Sequence, residues 1–271
     1  MPRRRATATI GTCHVCLRKG PLSFEHVPPS AASNADKVEI GGLKHWLERN
    51  DDGIRLRHVI QQGGFGFSRL CEACNNRTGS WYAAELTGWV HAAVAAIHAL
   101  PSVSRMDAQL EDHSVMFRIE GVRPLAMLKQ IVAMVLVVND VEFAVRHPDL
   151  RAFVLDRDRT GLQDIQVYLA LYLGPTVRFI GVSARANLET SESFILSEIA
   201  YPPFSYIASF DEPPPLLKAG NNITGFAEIP YSTRATAETE LIVGFGHTPL
   251  PADFRTAAQV ERDREQNAAD A

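Results

Sequence analysis

Cys71-Glu72-Ala73-Cys74-Asn75-Asn76-Arg77-Thr78-Gly79, read together with Cys13-His14-Val15-Cys16, decides the organisation of this chain. The chain has 4 cysteines, and all of them fall in these two C-x-x-C pairs. Two residues between thiolates suit a tight turn that presents both sulfurs to one tetrahedral ion. Two such pairs therefore predict a closed four-sulfur zinc site. Between the pairs stands Glu25-His26-Val27-Pro28-Pro29, and Asn75 directly follows the second pair. A carboxylate and an amide offer oxygen ligands to a hard divalent cation, and an imidazole can take a proton from water near neutral pH.

The order C-x-x-C, then Glu25-His26-Val27-x-Pro29, then Leu70-Cys71-x-x-Cys74-Asn75-x-x-x-Gly79 resembles the zinc-bearing HNH endonucleases, also called ββα-metal or His-Me finger nucleases. The resemblance covers about residues 10–80. In that family the acidic-His dipeptide closes a strand and the second C-x-x-C-N opens a helix. The resemblance implies that His26 is the general base and that Glu25 and Asn75 hold a catalytic Mg²⁺ or Mn²⁺, with Asn76 as the substitute if the register differs by one. It implies a structural Zn²⁺ on Cys13, Cys16, Cys71 and Cys74, and a scissile-phosphate contact from Arg77. The substrate it implies is nucleic acid, DNA first. Relatives of this type serve restriction, mobile elements or phage defence, and no residue here selects among those.

Composition is that of an ordinary globular chain, with 46% hydrophobic and 21% charged residues. The net charge of −4 does not advertise a nucleic-acid binder, but its distribution is uneven. Residues 1–80 carry 12 Lys and Arg against 7 Asp and Glu, and the remainder carries 15 against 24. A basic zinc module on an acidic body is compatible with local phosphate contacts. Cysteines used only in pairs suit metal binding in a reducing cytoplasm better than disulfides or thiol redox chemistry. Arg3-Arg4-Arg5 is followed by no apolar segment, so no signal peptide is expected, and the arm reads as a solvated tail. The most apolar run, residues 131–138, is too short to span a bilayer and reads as a buried helix.

In chain order, residues 22–26 alternate as a short half-buried strand, with Leu22 and Phe24 facing one way and Glu25 the other. His26 shares the parity of Leu22 and Phe24, so the regular strand is expected to break there, ahead of the prolines. His14, inside the knuckle, is surplus to a site of four ligands and is expected on the surface. Residues 30–62 form an insertion, with a helix over 34–50 on Leu43, Trp46 and Leu47, and an edge strand over 54–60. His45 and His58 read as surface residues there, and Lys44, Arg49, Arg55 and Arg57 as a loop facing DNA. Residues 65–70 form the second strand, whose glycines suggest a bulge or close backbone approach. A helix then runs from 72 to about 99, and Gly79 and Gly88 each cost it about 1 kcal/mol against Ala, so a kink is expected.

Beyond Pro101 the composition changes. A strand over 115–120 precedes a helix from Pro124 to 139, which starts well because proline suits the first helical position. A helix over 149–155 follows. Strands are expected over 165–173, 177–183, 194–200, 204–210, 225–229 and 241–245, ahead of a polar tail from about 252. Helices and strands grouped apart predict an α+β fold with a mostly antiparallel sheet. Two units are expected: a zinc-bound module over 1–100 and an accessory α+β domain over 101–271 that chooses targets, oligomerises or restrains. No membrane contact is expected. Two functions are compatible with the pattern: a metal-dependent HNH-type endonuclease, and a non-catalytic zinc module that binds nucleic acid or a protein.

Overall fold

Residues 10–26 and 66–70 alternate weakly and are punctuated by glycine and proline, and they form a small sheet. In the computed structural model, β1 (Thr9–Thr12), β2 (Lys19–His26) and β5 (Gly66–Leu70) are antiparallel in the order β1-β2-β5. The structure describes residues 9–41, 59–99, 114–174, 177–187, 192–211, 222–244, 250, 252–255 and 257–269. A second, two-stranded sheet pairs β3 (Val38–Ile40) with β4 (Val59–Gln61). The helix expected over 34–50 is therefore corrected in its first part. Val38 and Ile40 are β-branched and pair across to Gln61 and Val59. The rest of that helix, the basic loop residues, His45 and His58 lie outside the described residues.

After β5 the chain is helical from Glu72 to Ala99. It comprises α1 (Glu72–Thr78), a π turn (Gly79–Ala83) and α2 (Ala84–Ala99). The interruption begins at Gly79, where the reading of the sequence placed a weak point; wide turns of this kind are a usual source of helix kinks. Gly88 in α2 is exposed, and a Cβ there would meet no atom within 4 Å. Gly88→Ala should accordingly raise stability by about 0.5–1 kcal/mol. A chemical-denaturation curve whose midpoint moves down instead would show that the space is not free.

The larger sheet has six strands: β6 (Ser114–Val122), β7 (Gln166–Tyr172), β8 (Arg178–Asn187), β9 (Glu192–Tyr201), β10 (Phe204–Ser209) and β11 (Ala235–Gly244). Their order is β6-β11-β7-β10-β9-β8, antiparallel throughout except that β11 runs parallel to β7. The fold is thus mixed helix and sheet with mostly antiparallel pairing. The strand expected over 225–229 is instead a 3₁₀ turn (Thr224–Glu228). Local side-chain bonds hold it: Thr224 N donates to Asn222 Oδ1 at 2.9 Å, and Val167 N to Thr224 Oγ1 at 2.8 Å.

The centre of the molecule is α3 (Pro124–Val138), in which every residue is buried. An apolar run with no polar face can only be stable when covered all round. It packs on the π turn, α2 and β5, and on the 3₁₀ turn, β8 and β9. Two further helices, α4 (Val141–Arg146) and α5 (Pro148–Leu155), follow it. The first was not anticipated, although Asp140 caps it by accepting from Phe143 N at 2.8 Å. Lys129 is fully buried in α3. Its ammonium donates to the carbonyls of Phe153 and Asp156 at the end of α5, and burial pulls its pKa down to about 8.

One hydrophobic core runs from Cys13, Val15, Leu70 and Cys74 through Trp89 and α3 to Ile199 and Tyr206. The polar C-terminal segment is also anchored. Ala252, Asp253 and Phe254 are buried, and Glu198 accepts from Ala252 N and pairs with Arg178 at 2.8 Å. Beyond them α6 (Ala257–Ala269) is helical. Among the described residues no helix is long and apolar enough to cross a membrane.

Candidate functional site

Cys13 and Cys16 sit in the turn between β1 and β2, closed by Leu17 N donating to Cys13 O at 2.9 Å with Leu17 in the left-handed region. Cys71 precedes α1 and Cys74 lies in its first turn. All four sulfurs lie within 4.8 Å of one another. A tetrahedral ion with Zn–S bonds of about 2.3 Å spaces its sulfurs by about 3.8 Å. Cys16 Sγ and Cys71 Sγ are 3.8 Å apart, so the thiol set fits zinc. Two of the clustered thiols are pushed in opposite directions. A hydrogen bond from the Cys74 thiol, with help from backbone N–H groups of Cys16, Cys71 and Val15, holds Cys13 down at about 4 against burial. The same bond to a charged Cys13 pushes Cys74 upward. A bound cation would favour the thiolate form of its ligands.

His14 is buried, not on the surface as expected, and its Nδ1 donates to Leu136 O at 3.0 Å. Beside it, Arg69 Nη1 donates to the carbonyls of Val137, Val138 and Asn139 at 2.6, 2.7 and 2.8 Å. The last carbonyls of any helix lack partners within it, and they carry its negative dipole end. The cysteine module satisfies those of α3 and is thereby docked on the end of the central helix.

The β2–β5 ladder runs through Glu25↔Phe67 and His26↔Gly66, and β2 ends at His26, so the imidazole stands at the strand end as expected. Gly66 lets the two strands close in there: a Cβ on it would lie 2.0 Å from Glu25 O. The anticipated bulge falls at Ser23/Phe24, where Ser23 Oγ donates to Leu70 O at 3.0 Å. Strand parity puts Ser23 and Glu25 on one face and Phe24 and His26 on the other.

His26 is half-buried, and its Nε2 bonds Gly63 O at 2.8 Å. A carbonyl can only accept, so Nε2 carries the hydrogen, and in the neutral ring Nδ1 keeps its lone pair. The Phe24 ring meets the imidazole edge-on at 4.9 Å between centroids and is 43% exposed. Burial pushes the Glu25 carboxyl up to about 7, and among the described residues no cation pairs with it. Asn75 Nδ2 donates to Ser23 Oγ at 3.0 Å and to Phe24 O at 2.9 Å. It therefore ties α1 to the strand carrying Glu25 and His26, and Ser23, which it bonds, shares its face of the strand with Glu25. Its Oδ1 accepts no hydrogen bond among the described residues. Asn76 is exposed. Arg77 lies two residues after Asn75, on another side of the helix, with its guanidinium 5.4 Å from the centre of the Trp81 ring.

Asn34 escaped the reading of the sequence. It is fully buried, donating to Pro28 O and Phe65 O and accepting from Phe65 N, each at 2.7 Å. One amide thus clamps the segment after His26 to the segment before Gly66. Nothing in its spacing marks it. No protein-family model, curated protein or solved structure matches this chain.

Proposed function

We propose that this protein is a metal-dependent HNH-type endonuclease that hydrolyses phosphodiester bonds of nucleic acid, DNA first. The observation that carries the reading is the orientation of His26. Gly63 O fixes the protonated nitrogen, and Nδ1 is left as a base at a strand end, in a strand–strand–helix unit whose cysteines fit zinc. Among the described residues, Glu25 adds a desolvated carboxyl without a counter-charge, and Asn75 adds an amide oxygen that accepts no hydrogen bond. Those two oxygens suit a hard divalent ion, which when bound would supply charge neutralisation at the phosphate. His26 would take the proton of the attacking water, and Asn34 and Gly66 would hold the two strands that set its position. The four-sulfur site would stand apart as a staple, since so small a unit lacks a core of its own.

A second reading, a zinc module that binds without cutting, is favoured by Asn75, whose amide hydrogens are both spent on β2. Nicking of supercoiled plasmid by zinc-loaded protein separates the two. Cleavage is expected with added Mg²⁺ or Mn²⁺ and is expected to be lost in Glu25→Gln. Because protons and metal compete for a carboxyl raised to about 7, the apparent metal affinity should tighten as pH rises through neutrality. Plasmid, single-stranded DNA and RNA all left intact would select the second reading.

A further inference from the structure

On the side of α1 turned away from Asn75, arginines gather on two aromatic rings. Arg77 follows Asn75 by two residues, which places it about 200° round the helix. Its guanidinium lies over Trp81, the residue at the middle of the π turn. Arg157, just beyond α5, lies 6.0 Å from the same ring centre and 4.9 Å from that of Tyr231. Arg123 lies 5.5 Å from the centre of the Tyr231 ring as well. Trp81 O accepts from Tyr231 Oη at 2.8 Å, which ties the two residues together.

The charges here are not balanced. Glu85 accepts from Arg123 at 3.3 Å and from Arg234 at 3.4 Å. Arg157 meets only Asp158, at 3.7 Å, and Arg77 makes no ion pair among the described residues. Both Arg77 and Arg157 are exposed. A ring face supports a guanidinium without consuming its N–H groups, so each keeps a planar fork for an anion.

We propose that this arginine-on-aromatic platform is a second nucleic-acid contact, which grips the phosphodiester backbone on the face of α1 opposite the candidate catalytic strand. It rests on the reading that the protein acts on nucleic acid, but it needs no cleavage. Phosphate contacts position a strand without reading its sequence, so the platform sets how the backbone lies across the module and contributes no base preference.

The test is binding of a short fluorescein-labelled duplex, and of its single strand, by full-length zinc-loaded protein carrying His26→Ala with no Mg²⁺ or Mn²⁺ added. A contact with a salt slope of about 0.9 is worth about fivefold in affinity near 0.15 M salt. Arg77→Ala and Arg157→Ala should each weaken binding by about fivefold and lower the slope by about 1. Arg264→Ala, on α6 and paired with Glu261, should change neither. Zinc content and thermal midpoint report that the variants are folded. Unchanged affinity and slope in the double variant would overturn the proposal. So would an equal loss of poly-glutamate binding, which would mark a general anion patch. Plasmid nicking by the protein with intact His26 is read separately, so an inactive enzyme and an idle platform give different results.

Discussion

His26→Ala should abolish metal-dependent plasmid nicking while leaving zinc content and thermal midpoint close to those of the parent protein. General-base catalysis contributes about 10²–10⁴-fold, enough to take a weak nuclease below detection. The fold should survive because His26 is half-buried and among the described residues makes one hydrogen bond, to Gly63 O, whose loss costs about 0.5–1.5 kcal/mol. The neighbouring clamps remain. Asn34 still joins Pro28 to Phe65, and Asn75 still joins α1 to Ser23 and Phe24. An alanine protein that loses zinc or unfolds would make His26 a structural residue, and the nuclease reading would fall with it. An alanine protein that cuts at the parental rate would place the base elsewhere.

Cys74→Ser should cost the protein its zinc and its cooperative thermal transition. Structural zinc is worth about 10–16 kcal/mol in small sites, against a total domain stability of about 5–15 kcal/mol. The damage should not stay local, because Cys13 and Cys74 are buried in the same core that continues through α3. The turn holding Cys13 and Cys16 also carries His14, and β5 carries Arg69 two residues before Cys71. Loosening the metal site therefore releases the caps on the last carbonyls of α3. Metal analysis together with circular dichroism of the full chain reads both effects. A serine protein with full zinc content and an unchanged midpoint would remove the four-sulfur site from the account.

Features that follow from spacing were legible without the structure. C-x-x-C pairs, Pro124 opening a helix, the glycine at the helix interruption and the alternating strands are local patterns, and the chain follows them. The misreadings arose where a distant partner overrode the local pattern. His14 is polar and adjacent to two cysteines, yet it is buried because a carbonyl 122 positions away needs a donor. Residues 38–40, expected in a helix, form a strand because residues 59–61 lie across from them.

By itself the sequence determined the grouping of the four cysteines, the α+β class and the identity of the central helix, because each depends on residues close together or on one uninterrupted apolar run. The tertiary structure alone decided what the cysteine cluster is attached to. It placed Asn34, Arg69 and Asn75 on backbone carbonyls, it set β11 parallel to β7, and it gathered Arg77, Arg123 and Arg157 on Trp81 and Tyr231. The physical reason is common to the backbone contacts. Carbonyl oxygens are the same at every residue, so only folding determines which of them a side chain will meet.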